Sequence, residues 1–168
     1  MNVKQLMRHR VSTCAPTDTL NTAARIMWEQ GGGSVPVVDV DFRPVGFLTD
    51  RDICMAAYTQ GRSLKDIRID TAMARTLVSC EEGDELDHAA QLMRDNCVRR
   101  LPVVDSRGVL VGLLSLDDIA CESQRKLRGA TDRNLTGLVG EIYGRICSMR
   151  CRRRHSSDPP VHSSPVEA

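Results

Sequence analysis

A chain of 168 residues has room for one ordinary domain or two very small ones, and a composition 41% hydrophobic and 27% charged is that of a globular protein with a core. Aromatics make up only 3%, so that core must be aliphatic, and no apolar run approaches the roughly 20 residues a membrane span needs. The net charge of +1 hides an asymmetry: residues 1–122 hold 14 Lys/Arg against 18 Asp/Glu, whereas residues 123–168 hold 9 against 4, an acidic body with a basic tail.

The N-terminus carries Lys4, Arg8, His9 and Arg10 with no apolar block behind them, which speaks against a secretory signal. The seven cysteines are odd in number and irregular in spacing, so they read as reduced thiols of a cytoplasmic protein and not as a disulfide framework. Residues 11–14 form a short extended segment, and Asp18 is placed to cap the helix that follows. In that helix Leu20, Ala23, Ala24 and Met27 recur at i, i+3, i+4 and i+7, one apolar face, until Gly31, Gly32 and Gly33 end it. A buried strand over 35–38, a turn over 39–44 and a second strand over 45–48 predict a hairpin. Thr49 then opens a second helix, capping its exposed N–H groups. Residues 54–76 read as a linker broken at Gly61, returning through a short helix over 69–73 that matches residues 3–7.

Displaced by 66 residues, the same series recurs. Val35-Pro36-Val37-Val38-Asp39 falls on Leu101-Pro102-Val103-Val104-Asp105, and Gly46-Phe47-Leu48-Thr49 on Gly112-Leu113-Leu114-Ser115. Asp18, Leu20, Ala23, Ala24 and Met27 fall on Asp84, Leu86, Ala89, Ala90 and Met93, with Asn96 as the second helix stop. From residue 11 to residue 54, 15 of 44 positions are identical to their partners, and one constant offset across several motifs marks a true internal repeat. A copy of about 60 residues alone would expose its sheet face; two copies are expected to bury those faces against each other. Cys14 and Cys80 occupy equivalent positions, which suggests packing roles for both.

The order strand, helix, Φ-Pro-Val-Val-Asp strand, strand ending in Gly-Φ-Φ-Thr/Ser-x-x-Asp, then helix resembles the CBS (cystathionine-β-synthase) repeat, and the pair looks like a Bateman module over residues 1–122. The resemblance implies an α/β (α+β) fold, with a pseudo-two-fold pair of small β-sheets flanked by helices. It also implies clefts for adenine nucleotides or related adenosyl ligands, and association into disc-shaped homodimers. The division expected is repeat 1 over 1–60, repeat 2 over 61–122, an amphipathic helix over 123–150 and a disordered basic, Ser/Pro-rich tail over 151–168.

Family-matching positions are the candidate ligand-binding residues. Thr49/Asp52 and Ser115/Asp118 stand at helix N-termini, where a hydroxyl can meet a phosphate and the carboxylate three residues on can accept from ribose hydroxyls. The competing reading is that both pairs are capping boxes. Arg99 and Arg100 precede the second Leu-Pro, where basic residues of the family reach phosphates; the first copy has Gly33 and Ser34 there. Arg51 is a further candidate. The adenine would lie near residues 12–14 and 76–79, Thr13 and Ser79 included, between apolar walls such as Val35 and Leu101.

No catalytic arrangement stands out: His9, His88, His155 and His162 form no motif with any cysteine, and no enzymatic activity is expected. Cys147-x-x-x-Cys151-x-x-x-His155 offers only three ligands in an Arg-rich setting, so no metal site is expected. Beyond the pair, Leu135, Leu138, Val139, Ile142, Ile146 and Met149 form a helical stripe weakened by Gly137, Gly140 and Gly144, a helix that needs a surface to fold on. Arg150, Arg152, Arg153 and Arg154 support at most non-specific contact with nucleic acid or anionic lipid, the competing reading being a solvated charged tail.

The leading expectation is a non-enzymatic regulatory module with no required cofactor, binding an adenine nucleotide as regulatory ligand and signalling to a protein partner, as a homodimer or through its C-terminal helix. The alternatives are a ligand-free oligomerising scaffold and a basic-tail nucleic-acid tether.

Overall fold

A computed structural model describes residues 1–127 and 133–155, with side-chain surroundings given up to 123 and over 137–148. The first repeat runs α1 (Leu20–Glu29), β1 (Ser34–Val38), β2 (Pro44–Thr49) and α2 (Asp50–Gln60). The second runs β3 (Cys80–Glu81), α3 (Leu86–Asp95), β4 (Arg100–Val104), β5 (Leu110–Ser115) and α4 (Leu116–Leu127), and a long helix α5 (Arg133–His155) follows. β1 and β2 pair antiparallel, as do β4 and β5, and each hairpin has its irregularity at the same place, Val37/Val38 and Val103/Val104. β3 joins β4 in parallel, matched in the first repeat by an isolated parallel bridge between Cys14 and Val37. The expected α+β pair of hairpins flanked by helices is therefore what the chain forms.

Each copy has its own core, and each core is completed by a segment from outside the copy. Leu20, Ala23, Met27, Val35, Val37 and Leu48 cluster with Ile67 and Ile69 of the linker, whereas Leu86, Ala89, Met93, Leu101, Val103 and Leu114 cluster with Val3 and Met7 of the N-terminus. The hydrogen bonds of the exchange repeat at the same offset: Val3 N–H donates to the Asp84 carbonyl at 2.9 Å, and Ile69 N–H to that of Asp18 at 2.9 Å. The sheet faces were expected to cover one another; instead the chain buries two separate clusters, because short segments laid across the hairpins cover apolar surface at little cost in loop closure. Glycine is required where these segments cross. A Cβ on Gly46 would stand 2.5 Å from Met73 Sδ, and one on Gly112 2.5 Å from Met7 Sδ.

Several local expectations are corrected. Asp18 and Asp84 do not cap the helices: Thr19 and Glu85 hold the N-cap positions, and the two aspartates instead accept from the N–H of Ala15 (2.8 Å) and Glu81 (2.9 Å), closing the preceding turns. The linker starts later than residue 54, because α2 runs on to Gln60 and stops at left-handed Gly61. Asn96 is the C-cap of α3, but the left-handed residue that releases the chain is Cys97, at φ 54°. Gly31 holds the matching position at φ 61°. Residues 123–127 belong to α4, and α5 continues past 150 to His155, so neither the expected helix start nor the tail's start at 151 holds.

α5 packs on α3 and α4, burying Ile142 and Ile146, with Leu138 and Val139 half-buried beside them. Arg94 Nη1 pairs with Glu141 Oε2 at 3.2 Å across the contact. Gly137, Gly140 and Gly144 all lie at exposed positions of the helix. The surface this helix needed is thus its own second repeat. No helix of the described residues is long and apolar enough to cross a membrane.

Candidate functional site

At the junction of the two repeats lies a cleft lined from the first by Ser12, Gln30, Gly31, Gly32, Ser34 and Pro36, and from the second by Arg100, Leu113, Ser115, Asp117 and Asp118; Arg8, Arg10 and Val11 complete it. Its position follows from the fold: the end of α1 and start of β1 face the start of α4 across the crossing N-terminal segment. The Gln30 amide donates to the Ser12 hydroxyl at its rim. Three guanidinium groups face two carboxylates, leaving one surplus positive charge. Arg8 Nε pairs with Asp118 Oδ1 at 3.1 Å, and Arg100 Nη2 stands a loose 3.9 Å from Asp117 Oδ2. The cavity is about 160 Å³, below the roughly 300 Å³ at which small-molecule sites begin.

Both Thr/Ser-x-x-Asp pairs are capping boxes. Thr49 N–H and Oγ1–H donate to Asp52 Oδ2 at 2.8 and 2.7 Å, and Asp52 N–H donates back to Thr49 Oγ1 at 3.3 Å. Ser115 N–H donates to Asp118 Oδ2 at 2.9 Å, its hydroxyl does the same, and Asp118 N–H returns to Ser115 Oγ at 3.1 Å. The next N–H groups are also engaged: Leu116 N–H donates to the Arg99 carbonyl at 2.9 Å and Asp50 N–H to that of Gly33 at 3.0 Å. The helix N-termini therefore offer an anion little unpaired N–H, and the cationic groups of this cleft are arginine side chains.

Of the candidates, Ser115, Asp118 and Arg100 come together in this cleft. Thr49 and Asp52 form the equivalent box of the other repeat and do not line it. Arg99 and Arg51 are exposed and outside it. Val35 and Leu101 are not walls: both are fully buried in the two cores, since alternate strand residues point inward, and Pro36 lines the cleft in their place. Thr13 and Ser79 are half-buried, and Ser12 is the neighbour that reaches the cleft. Sequence reasoning missed Arg8, Arg10, Gln30 and Asp117. The repeat itself held the signal for Arg8, whose partner at the 66-residue offset is Ala74.

Cys14 and Cys80 are buried in the cores, as their equivalence suggested. Burial, helped by the charges of Asp18 and Asp84, pushes the Cys14 thiol up to about 11 and that of Cys80 up to about 12. Among the described residues no cluster of three His, Cys, Asp or Glu is placed for a metal ion. The side chains of Cys151, His155 and the arginines at 150 and 152–154 lie outside the described residues.

A family model described as CBS domain matches residues 3–58 and 64–124. The CBS domain-containing protein YhcV of Bacillus subtilis is 38% identical over 119 residues, 71% of this chain and 83% of that protein. An uncharacterized protein of Methanopyrus kandleri is 34% identical over 119 residues, which span only 61% of its length. Among solved structures, the CBS domain pair of protein MJ0100 in complex with 5'-methylthioadenosine and S-adenosyl-L-methionine superposes with a TM-score of 0.68 at 25% identity, covering 75% of this chain and 98% of that one.

Proposed function

The chain belongs to the CBS-domain family, and from that premise we propose that it is a regulatory module which binds an adenine nucleotide in the cleft between its repeats and passes occupancy to a partner. The observation that carries this reading is the arginine-lined cleft at the repeat junction, where Arg8, Arg10 and Arg100 outnumber the two aspartates. The MJ0100 pair holds adenosyl ligands without phosphate. A surplus cation favours an anionic relative of those ligands, because a guanidinium forks onto phosphate oxygens. The test is a thermal-shift panel of AMP, ADP, ATP, adenosine, 5'-methylthioadenosine and S-adenosyl-L-methionine on the full chain. Ligand at about 100 times its Kd adds about 2.7 kcal/mol of stability. We expect the phosphate-bearing members to give the larger shifts and Asp118→Ala to weaken them more than Asp52→Ala. No shift with any member overturns the reading.

A different observation supports assembly as a homodimer. On α1 and α2, Trp28 is 88% exposed and Tyr58 83% exposed. Beside Trp28 lies an open apolar groove of about 450 Å³ between Ala24, Met27, Ile53 and Cys54. The same face of the second repeat is covered by α5. A second copy of this chain, related by a two-fold axis, would bury α1–α2 against α1–α2. Sedimentation should give a dimer that Trp28→Glu converts to a monomer; a monomeric wild-type chain at high micromolar concentration excludes it.

A further inference from the structure

Arg8 belongs to the first repeat in sequence but is fastened to the second. Its N–H donates to the Leu113 carbonyl at 2.9 Å, and its carbonyl accepts from Leu113 N–H at 3.0 Å. That register sets its side chain over the start of α4, where Nε reaches Asp118 Oδ1 at 3.1 Å. The other oxygen, Oδ2, already serves the Ser115 cap. Both oxygens of Asp118 are thus engaged inside the chain.

The first repeat contains the control. Ala74 makes the same two backbone bonds to Phe47, at 2.9 and 3.0 Å, beside the same box of Thr49 and Asp52. It brings only a methyl group. Among the described residues no lysine or arginine pairs with Asp52, so its Oδ1 stays open. Two backbones alike in register differ by one guanidinium.

We propose that Arg8 is the specificity-determining residue of the cleft: it holds the Asp118 oxygen that a ligand hydroxyl needs, and releases it to ligands that offer the guanidinium an anion in exchange. This inference rests on the nucleotide reading and assigns its selectivity. An uncharged nucleoside that takes Asp118 Oδ1 breaks a charge-assisted hydrogen bond and leaves Arg8 without a partner. A nucleotide re-pairs Arg8 with its phosphate while its ribose takes the carboxylate. Arg8 is 66% exposed and its backbone is fixed in the bridge to Leu113, so the side chain can swing without disturbing a core. The cavity of about 160 Å³ has Arg8 in its wall, and the swing widens it.

Calorimetric titration of the full chain with AMP and with adenosine tests this. Wild type should favour AMP, and Arg8→Gln should lower the AMP-to-adenosine affinity ratio by about tenfold, the loss of one charge-assisted contact. Arg8→Lys should keep most of the preference. An Arg8→Gln ratio within twofold of wild type overturns the inference while leaving the nucleotide reading intact. If Arg8→Gln does not fold, Arg8→Met decides, and a ratio within twofold of wild type there has the same force. A wild-type chain that binds neither ligand overturns the nucleotide reading and this inference with it.

Discussion

The two repeats share a backbone plan down to single hydrogen bonds, yet they differ in what covers them and in what charge they bring to the cleft. Val3 bonds to Asp84 as Ile69 does to Asp18, Met7 packs on Gly112 as Met73 does on Gly46, and Arg8 bridges Leu113 as Ala74 bridges Phe47. Against that background the differences stand out. α5 lies on the second repeat, while the first leaves Trp28 and Tyr58 in solvent. Phe42 accepts a bond from Leu110 N–H at 2.9 Å, but the reciprocal bond cannot form, because the equivalent of Leu110 is Pro44, which has no N–H. A duplicated fold keeps the contacts that hold its cores and lets surface and cleft diverge.

The largest effect that could break this comparison is removal of α5. Ending the chain after Leu127 uncovers the α3–α4 face that Ile142 and Ile146 bury. At about 1.5–3 kcal/mol per fully buried isoleucine, the loss should be about 3–6 kcal/mol as an upper estimate. Denaturant unfolding of the truncated and full chains measures it, and a loss under about 1 kcal/mol would mean that α5 is not part of the second core.

Next in size are the glycine crossings. Gly112→Ala and Gly46→Ala each force a Cβ onto a methionine sulfur and the backbone behind it, so each should cost about 1–3 kcal/mol. Equal costs sharpen the equivalence of the two crossings. A cost confined to one would show that the other methionine can move aside.

The buried thiols give a smaller effect, visible only in alkali. Folded Cys14 and Cys80 hold their protons above the ordinary thiol value of 9.0. Their contribution to stability is therefore complete below about pH 9 and falls as pH rises toward 11 and 12. Melting temperature against pH should decline over that window, and less steeply in Cys14→Ala or Cys80→Ala. At neutral pH, thiol labelling read by mass spectrometry should modify exposed Cys54, Cys121 and Cys147 and spare Cys14 and Cys80 until the chain unfolds.

The smallest effect is a pair of opposite sign. Cys97→Gly relieves a left-handed residue and should gain about 0.5–1 kcal/mol, whereas Gly31→Ala imposes that strain on the other repeat and should cost about 1 kcal/mol. Two changes of the same sign would end the claim that the helix exits are alike.

Most of the fold was legible because it is written in local patterns that occur twice. The i, i+3, i+4, i+7 faces from Leu20 and from Leu86, the Val/Leu-Pro-Val-Val strands and the Thr49 and Ser115 caps are properties of neighbouring residues. The site was legible only in part. Ser115, Asp118 and Arg100 lie in the matched motif, but Arg8 reaches Asp118 across 110 residues through an exchanged segment, and no local pattern announces such a pairing.

The sequence by itself determined the repeat, the elements of each copy, the Thr49 and Ser115 caps and the family, since periodicity and motif identity depend on short-range spacing. Tertiary structure decided which segment completes which core, which helical face α5 covers, and which aspartate meets an arginine. Those outcomes depend on where distant parts of the chain bury apolar surface most fully, and burial is a property of the whole packed molecule, not of any window along it.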